Sequence, residues 1–433
     1  MKTLVIGLGK SGRAAYAFLL KEGESVVGTD DQAELLKKLE NEGLNVQAHP
    51  QVEEFDRLVL SPGVPPTHPL YMKAVEVGKE ITCEAELALS RLQQPCIAIT
   101  GTNGKTTVTL LVEHILKRSG LKACALGNVG TPLTAYQGGA EEIMVVELSS
   151  FQLELMKTPV VDIGIILNIT PDHLDRYATM KEYAEAKCRL QKLMKGGSCL
   201  QDRGNLWVHQ NVAEEFGALL EVDYQTYGTN SKCTSWTDKE SLKSGEKIEA
   251  ILPIRYRSLG EHESENVLAA WIVCKKFGVS STDFLAGLET FEKPAHRIEF
   301  VATLDGVDYF NDSKGTNIDA TIKAVEAMTK EVVLIAGGVD KGSSYQPWKK
   351  SFAGKVRRVF AIGEAAEKIA SELRPEFEVE IVATLQEAVE GARSRAKEGM
   401  SVLLSPGCSS YDMFRDYAHR GDEFKKYVRG KIL

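Results

Sequence analysis

The chain lacks an excess of positive charge. Its 433 residues carry 52 Lys and Arg against 60 Asp and Glu, a formal net charge of −8. A general nucleic-acid binder is normally basic, so that class is disfavoured, although a local basic site still suits a nucleotide substrate. No apolar run reaches the roughly 18 residues of a membrane span. The opening MKTLVIGLGK runs straight into a strand-like segment and does not read as a signal peptide. The eight cysteines, at 83, 96, 124, 188, 199, 233, 274 and 408, include no C-x-x-C pair. Metal-ribbon and thioredoxin readings therefore fail, and reduced, structural thiols in a cytosolic protein are expected. Internal repeats and low-complexity tracts are also missing. What remains is ordinary for a globular protein, 43% hydrophobic and 26% charged. At roughly 150 residues per domain, about three domains are expected.

Three segments emerge from the patterning. The first alternates strands and helices: Thr3–Ile6, GLGKSG, a helical run to Lys21, Ser25–Gly28, and Arg57–Leu60 followed by SPGV. It reads as a small doubly wound domain over 1–92, with Arg91–Pro95 as linker. The second, 93–293, opens with the buried strand Cys96–Thr100. Apolar residues at Val108, Leu111, Val112, Ile115 and Leu116 then follow helical spacing, and Gly120 stops the helix. Strands Ile143–Val146 and Ile163–Leu167 each lead into polar residues, Glu147-Leu-Ser-Ser and Asn168-Ile-Thr-Pro-Asp-His173. Ligands of open α/β sheets bind outside the carboxyl ends of strands, so these ends point to one site. Only short strands are read between about 200 and 258. The third segment, 294–433, follows a linker at Glu292–Ala295. It holds a hairpin, Ile298–Thr303 with Val307–Phe310 around Asp305-Gly306, then a helix near Ile318–Met328. Strands Val332–Ala336, Val359–Ile362 and Val402–Leu404 complete another parallel α/β domain.

Two loops carry phosphate chemistry. Gly101-Thr-Asn-Gly-Lys-Thr-Thr107 sits between a strand and an amphipathic helix. Its glycines let backbone N–H groups face phosphate oxygens, Lys105 supplies charge to the β- and γ-phosphates, and Thr106 suits Mg²⁺. The full G-x-x-x-x-G-K-[ST] pattern is not met, because Ile99 stands at its first glycine. Glu147 and His173 are expected beside the loop, where a carboxylate and an imidazole suit a divalent cation. The second loop, Gly7-Leu-Gly-Lys-Ser-Gly12, is a complete G-x-G-x-x-G after a strand, with Asp30 about 20 residues on. It fits a dinucleotide such as NAD, or equally a diphosphate substrate such as a UDP-sugar. On these residues alone an amide ligase, a P-loop switch or transport ATPase and a nicotinamide-dependent dehydrogenase all stay open.

Taken together, TGTNGKTT (100–107), Gly127-Asn-Val-Gly130, ELSSFQLE (147–154), NITPDHLDRY (168–177), NDSKGTN (311–317) and LSPGCSS (404–410) resemble the Mur ligases. These are cytoplasmic, ATP-dependent amide ligases of peptidoglycan synthesis, and the motifs span nearly the whole chain. They are most similar to the branch that adds D-glutamate to UDP-N-acetylmuramoyl-L-alanine. A member acting on another amino acid or on folate is the nearest alternative.

The resemblance implies three α/β domains with largely parallel sheets: a Rossmann-like UDP domain, a central P-loop ATPase domain and a Rossmann-like D-glutamate domain. It implies a monomer that binds neither nucleic acid nor membrane. Gly9, Lys10, Ser11 and Gly12 would hold the diphosphate, Asp30, Asp31 and Gly63 the uracil end, and Asn128 and His173 the muramoyl part. ATP would lie on Gly101, Thr102, Asn103, Gly104, Lys105, Thr106, Thr107, Asn266, Arg297 and Asp312. Two Mg²⁺ ions would use Thr106, Glu147, His173 and Lys187, the last carbamylated to N6-carboxylysine. Lys105, Glu147, His173, Lys187 and Arg297 would be catalytic. D-Glutamate would meet Lys314, Thr316, Lys341, Ser410, Tyr411 and Tyr417. Three positions depart from the family pattern: Glu263 replaces the usual Asn, and Tyr411 and Tyr417 stand where other members carry Leu and Phe.

Overall fold

A computed structural model describes residues 1–196, 205–257 and 260–430. Its contacts divide the chain into two units. The first comprises Met1–Ile169, Lys181–Pro253 and Glu265–Phe291; the second comprises Thr170–Met180, Ile254–Ser264 and Glu292–Leu433. Cys199 lies outside the described residues. The other seven cysteines are free thiols, and burial pushes Cys83 and Cys96 up to about 12, far from reactivity.

The first unit holds two sheets. Strands β1 (Lys2–Ile6), β2 (Ser25–Thr29), β3 (Arg57–Leu60) and β4 (Glu80–Cys83) form a parallel sheet in the order β2-β1-β3-β4. Their central residues are fully buried, as expected where helices cover both faces. The second sheet contains β5 (Cys96–Thr100), β6 (Ala123–Gly127), β7 (Ile143–Glu147), β8 (Ile163–Ile166), β9 (Leu206–His209), β10 (Gln225–Gly228), β11 (Ser235–Thr237), β12 (Ser241–Ser244) and β13 (Lys247–Ile251). The order is β13-β12-β11-β10-β9-β8-β5-β7-β6, parallel except at β11-β12-β13. β5 is therefore central. Ile99 pairs with Glu147 on one side and with Ile165 on the other, which brings three strand ends level. The helix Lys105–Arg118 buries Val108, Leu111, Val112, Ile115 and Leu116, the residues that the spacing picked out. It ends at Gly120, φ +83°, where the Leu121 N–H returns to the Leu116 carbonyl.

The small sheet and the central sheet are tied by a helix that sequence reading passed over. Helix Glu84–Leu89 follows β4 directly. Glu84 Oε1 accepts from both the N–H and the hydroxyl of Thr134, and Glu86 accepts from Thr158 and from the Lys157 N–H. In sequence these carboxylates look solvent-facing; here they fasten one sheet's domain to the other.

The second unit contains β14 (Glu299–Leu304), β15 (Val307–Asn311), β16 (Val332–Gly337), β17 (Val356–Ile362), β18 (Glu378–Ile381) and β19 (Ser401–Leu404). The order is β14-β15-β19-β16-β17-β18, with β14 and β15 the expected antiparallel hairpin and the remaining pairs parallel. Two apolar clusters flank this sheet, one around Trp348 and Phe352 and one around Phe360 and Phe424.

In the N-terminal glycine loop the third glycine has a steric task. A Cβ on Gly12 would run into the Gly7 carbonyl oxygen and lie 2.8 Å from Ser61 Oγ. Backbone cannot yield as a side chain does, so Gly12→Ala is expected to destabilise the first unit by about 3 kcal/mol. A urea midpoint equal to that of the parent would contradict this close helix–strand packing.

Candidate functional site

The phosphate loop leaves the carboxyl end of β5. Gly101 has φ +150° and Gly104 φ +87°, conformations that only glycine adopts freely. The loop is moored to the end of β8 by one residue. The Thr102 N–H donates to the Asn168 carbonyl at 2.8 Å, the Asn103 N–H to Asn168 Oδ1 at 2.8 Å, and Asn168 Nδ2 to the Asn103 carbonyl at 3.0 Å. Asn168 was visible in a motif but had no role assigned to it; its place directly after an apolar strand was the signal. Thr106 and Thr107 open helix Lys105–Arg118. The buried Asn266 backs the loop, its Oδ1 lying 2.5 Å from where Gly104 would carry a Cβ.

Cationic groups gather at this loop. Lys105 Nζ donates to the carbonyls of Gly101 (2.7 Å) and Thr102 (2.8 Å), and Lys187 Nζ donates to the same Gly101 oxygen at 2.8 Å. Lys187 is only 1% exposed, on helix Met180–Cys188, with its ammonium 4.6 Å from the Tyr183 ring centre. The Tyr183 hydroxyl in turn meets Thr102 Oγ1 at 3.2 Å. Two ammonium groups on one carbonyl form a focus for anionic oxygen. Glu147 ends β7 beside them and is buried. Its Oε1 accepts from Asn128 Nδ2 at 3.0 Å, whereas Oε2 has no hydrogen-bond partner. A buried carboxylate oxygen left bare is costly unless a cation completes it.

The Gly7–Gly12 loop lies in the same unit. The Leu8 N–H donates to Asp30 Oδ2 at 2.7 Å and the Gln32 N–H to Asp30 Oδ1 at 3.0 Å, so Asp30 holds the loop's shape. Gly9, Lys10 and Gly63 are exposed and Ser11 is half-exposed. Lys10 Nζ reaches the Gly130 carbonyl at 2.6 Å, joining this loop to the Gly127–Gly130 turn that carries Asn128. Asp31 is exposed and faces His68 Nε2 at 3.2 Å.

In the second unit the loops after β15, β16 and β19 converge on Arg420. This guanidinium is buried on helix Tyr417–Arg429. It donates to Ser313 Oγ (3.0 Å) and to the carbonyls of Ser313 (2.9 Å), Cys408 (3.1 Å), Ser409 (3.3 Å) and Gly337 (3.4 Å). Those loops bear Lys314, Thr316, Lys341 and Ser410. Lys314 Nζ sits 3.8 Å from the Tyr417 ring centre, Ser410 is buried, Thr316 half-buried and Tyr411 exposed. Lys341 Nζ pairs with Asp172 Oδ1 at 2.8 Å, and Asn317 Nδ2 donates to Asp172 Oδ2 at 3.1 Å. His173, next in sequence, belongs to this unit and has φ +55°. The half-buried Arg297 lies between His296 and Ile298, both at positive φ, which for the β-branched Ile298 is a strained backbone. Glu263 is buried and pairs with Lys293 Nζ at 3.2 Å beside a cavity of about 210 Å³ lined by Gly260, His262, Ile298 and Phe310.

Asp312 accepts from Ser405 Oγ at 2.7 Å and from the Ile298 N–H at 3.2 Å, and complete burial raises its carboxyl from 3.8 to about 7. Its stabilising contribution is present below the ordinary value and is lost as pH rises through the folded one. Asp312→Asn keeps both contacts without the charge. It is expected to match the parent near pH 4 and to exceed it by up to about 4 kcal/mol above pH 7. Urea unfolding across that range is the check; a pH-independent difference would contradict it.

Three family models match successive stretches of the chain. Residues 1–83 match the model of the Mur ligase MurD-like N-terminal domain, 99–274 the Mur ligase middle domain, and 296–408 the Mur ligase glutamate ligase domain. A UDP-N-acetylmuramoylalanine--D-glutamate ligase of Protochlamydia amoebophila is 47% identical, over 99% of this chain and 98% of the relative. A protein of the same name from Caldicellulosiruptor bescii is 40% identical, over 98% and 96%. In fold, the chain resembles the UDP-N-acetylmuramate-alanine ligase MurC of Thermotoga maritima, with a TM-score of 0.64 at 18% identity and 100% coverage of both chains. It also resembles the MurF ligase of Thermotoga maritima in complex with ADP, with a TM-score of 0.57 at 14% identity over 99% and 95% of the chains. With all three family models in order and close relatives matched from end to end, this chain belongs to the Mur ligase family.

Proposed function

We propose that the chain is an ATP-dependent ligase that joins D-glutamate to UDP-N-acetylmuramoyl-L-alanine in peptidoglycan synthesis, in the cytoplasm and as a monomer. The observation that carries this reading is the Gly101–Thr107 loop at the centre of the large sheet, flanked by a bare Glu147 carboxylate oxygen and two lysines. The domains are proposed as 1–92 for the UDP substrate, 93–293 for ATP and 294–433 for D-glutamate.

Amide formation from a free carboxylate in water is uphill, so the carboxylate must first be activated. The L-alanine carboxylate attacks the γ-phosphorus of ATP, ADP departs, and an acyl phosphate forms. The neutral amine of D-glutamate then attacks the acyl carbon, loses a proton, and phosphate leaves. Lys105 exchanges its loop carbonyls for phosphate oxygens and stabilises the charge that shifts during transfer. Arg297 is assigned to the γ-phosphate, Asp312 to the ribose and Asn266 to the nucleotide. Lys10, Ser11 and the glycine loop hold the UDP diphosphate, with Asp30 keeping the loop in shape and Asp31 and Gly63 at the uracil end. Asn128 and His173 orient the muramoyl part. Lys314, Thr316, Lys341, Ser410, Tyr411 and Tyr417 surround D-glutamate.

The residues present fit magnesium. Glu147 Oε2 is a buried hard donor without a partner, and Thr106 adds a hydroxyl. Thr106, Glu147, His173 and Lys187 would hold it, and when bound it neutralises phosphate charge. A carbamate on Lys187 fits as well, since it would relieve the like charge that Lys187 and Lys105 now direct at one carbonyl oxygen.

Phosphate release measured with the UDP-linked acceptor and a panel of L- and D-amino acids tests the assignment. Turnover should require D-glutamate and yield a UDP-linked product heavier by one glutamyl residue. Robust turnover with L-lysine or meso-diaminopimelate and none with D-glutamate would overturn it.

A further inference from the structure

We propose that His209 is a positioning residue for the phosphate loop, acting through Glu265 on Asn266; the inference rests on the reading of that loop as the ATP site. His209 closes β9, the strand next to β8, and is buried. Its hydrogen bonds define one tautomer. Nδ1 accepts the Asn211 N–H at 3.3 Å, so the ring proton lies on Nε2, which donates to Glu265 Oε1 at 2.7 Å. The buried Tyr227 meets the imidazole edge-on at 5.4 Å, and its own hydroxyl is tied to the Ile166 carbonyl at the end of β8. The ring is thus fixed to the sheet on two sides.

Glu265 lies on helix Glu261–Lys276 and is the helix's first residue within the first unit. The next residue is Asn266, which packs on Gly104, and Gly104 is the N-cap of helix Lys105–Arg118. A continuous line of contacts therefore runs from the sheet through His209 and Glu265 to the turn whose N–H groups would face phosphate. Catalytic and binding groups displaced by about 1 Å can lose about 10²-fold in rate. A bond that fastens the helix start one residue from Asn266 controls that placement without touching the nucleotide.

The test uses the full chain with His209→Phe, Glu265→Ala and Glu265→Gln. Phenylalanine keeps the ring volume and the Tyr227 contact but removes the bonds to both Glu265 and the Asn211 N–H, Glu265→Ala removes only the former, and glutamine still accepts the Nε2 proton. Calorimetric titration with Mg·ADP is read together with KM for ATP and for the other two substrates. His209→Phe and Glu265→Ala are expected to weaken ADP about ten-fold and raise KM for ATP equally, with kcat at saturating ATP within about two-fold. The other KM values should hold, and Glu265→Gln should behave as the parent. Unchanged ADP affinity in either bond-breaking variant would overturn the proposal. So would a joint fall in kcat, all affinities and melting temperature, because a merely structural bond moves everything together. If the parent binds ADP but joins no amino acid, the ligase reading fails while the calorimetric comparison still decides this one.

Discussion

Glu147→Gln is expected to reduce ligation by about 10³-fold or more while raising the melting temperature. The two effects have one origin. In the parent, Glu147 is buried at the end of β7, Oε1 is satisfied by Asn128, and Oε2 has no partner. Leaving a buried polar group unsatisfied costs about 1–3 kcal/mol, more for a charged one. An amide keeps the Asn128 contact and lowers that cost, so the variant gains stability. The same amide presents N–H where a cation needs oxygen, and the several kcal/mol of charge stabilisation that such a site contributes is lost. Stability stored as an unmet carboxylate is the usual exchange at a functional site. Phosphate-release assays and thermal melts on the same samples check both halves. A variant that is active, or inactive but less stable, would contradict the role given to Glu147.

Lys341→Met is expected to lower both stability and D-glutamate affinity, with a pH signature that separates the two. Asp172 is buried, and burial alone would push its carboxyl up. The Lys341 ammonium, helped by His173 and by the Asn317 amide, holds it well below the ordinary 3.8. Removing the lysine leaves an uncompensated buried carboxylate, at a cost of about 3 kcal/mol near neutral pH. The sign follows from the lowered value: the pair's contribution is present above 3.8 and disappears as pH falls through the folded value. The stability gap between parent and variant should therefore be full at about pH 7, begin to shrink as pH falls below 3.8, and close only as pH approaches the much lower folded value. KM for D-glutamate at neutral pH should rise about 10²-fold, as expected when a charge-assisted bond to a carboxylate is removed. A gap that does not depend on pH would show that Lys341 acts by packing, not by charge.

The parts legible in the sequence share a physical character. The strand Cys96–Thr100, the helix after it and the Asp305-Gly306 hairpin each announce themselves through local periodicity or turn chemistry, and each lies where it was expected. Family resemblance supplied Lys187, whose sequence setting reads as a solvated helix lysine although it is buried against Gly101. What stayed hidden depends on partners distant in the chain. Helix Glu84–Leu89 shows two carboxylates that meet Thr134 and Thr158, and nothing local reveals those hydroxyls. Helix Tyr417–Arg429 is so charged that Arg420 looks like one solvated residue among several. Its alignment with Gly421, Phe424 and Val428 on the buried face was the available sign. Asp30 showed its position in the motif but not that both its oxygens are taken up by backbone N–H groups.

The central claim is that ATP held on the Gly101–Thr107 loop transfers its γ-phosphoryl group to the acceptor carboxylate before D-glutamate attacks. Heavy oxygen placed in the L-alanine carboxylate of the UDP-linked acceptor tests it directly. The account predicts that each phosphate released in the presence of ATP and D-glutamate carries one labelled oxygen, with the remaining label in the new amide. Unlabelled phosphate released alongside the amide product would contradict it.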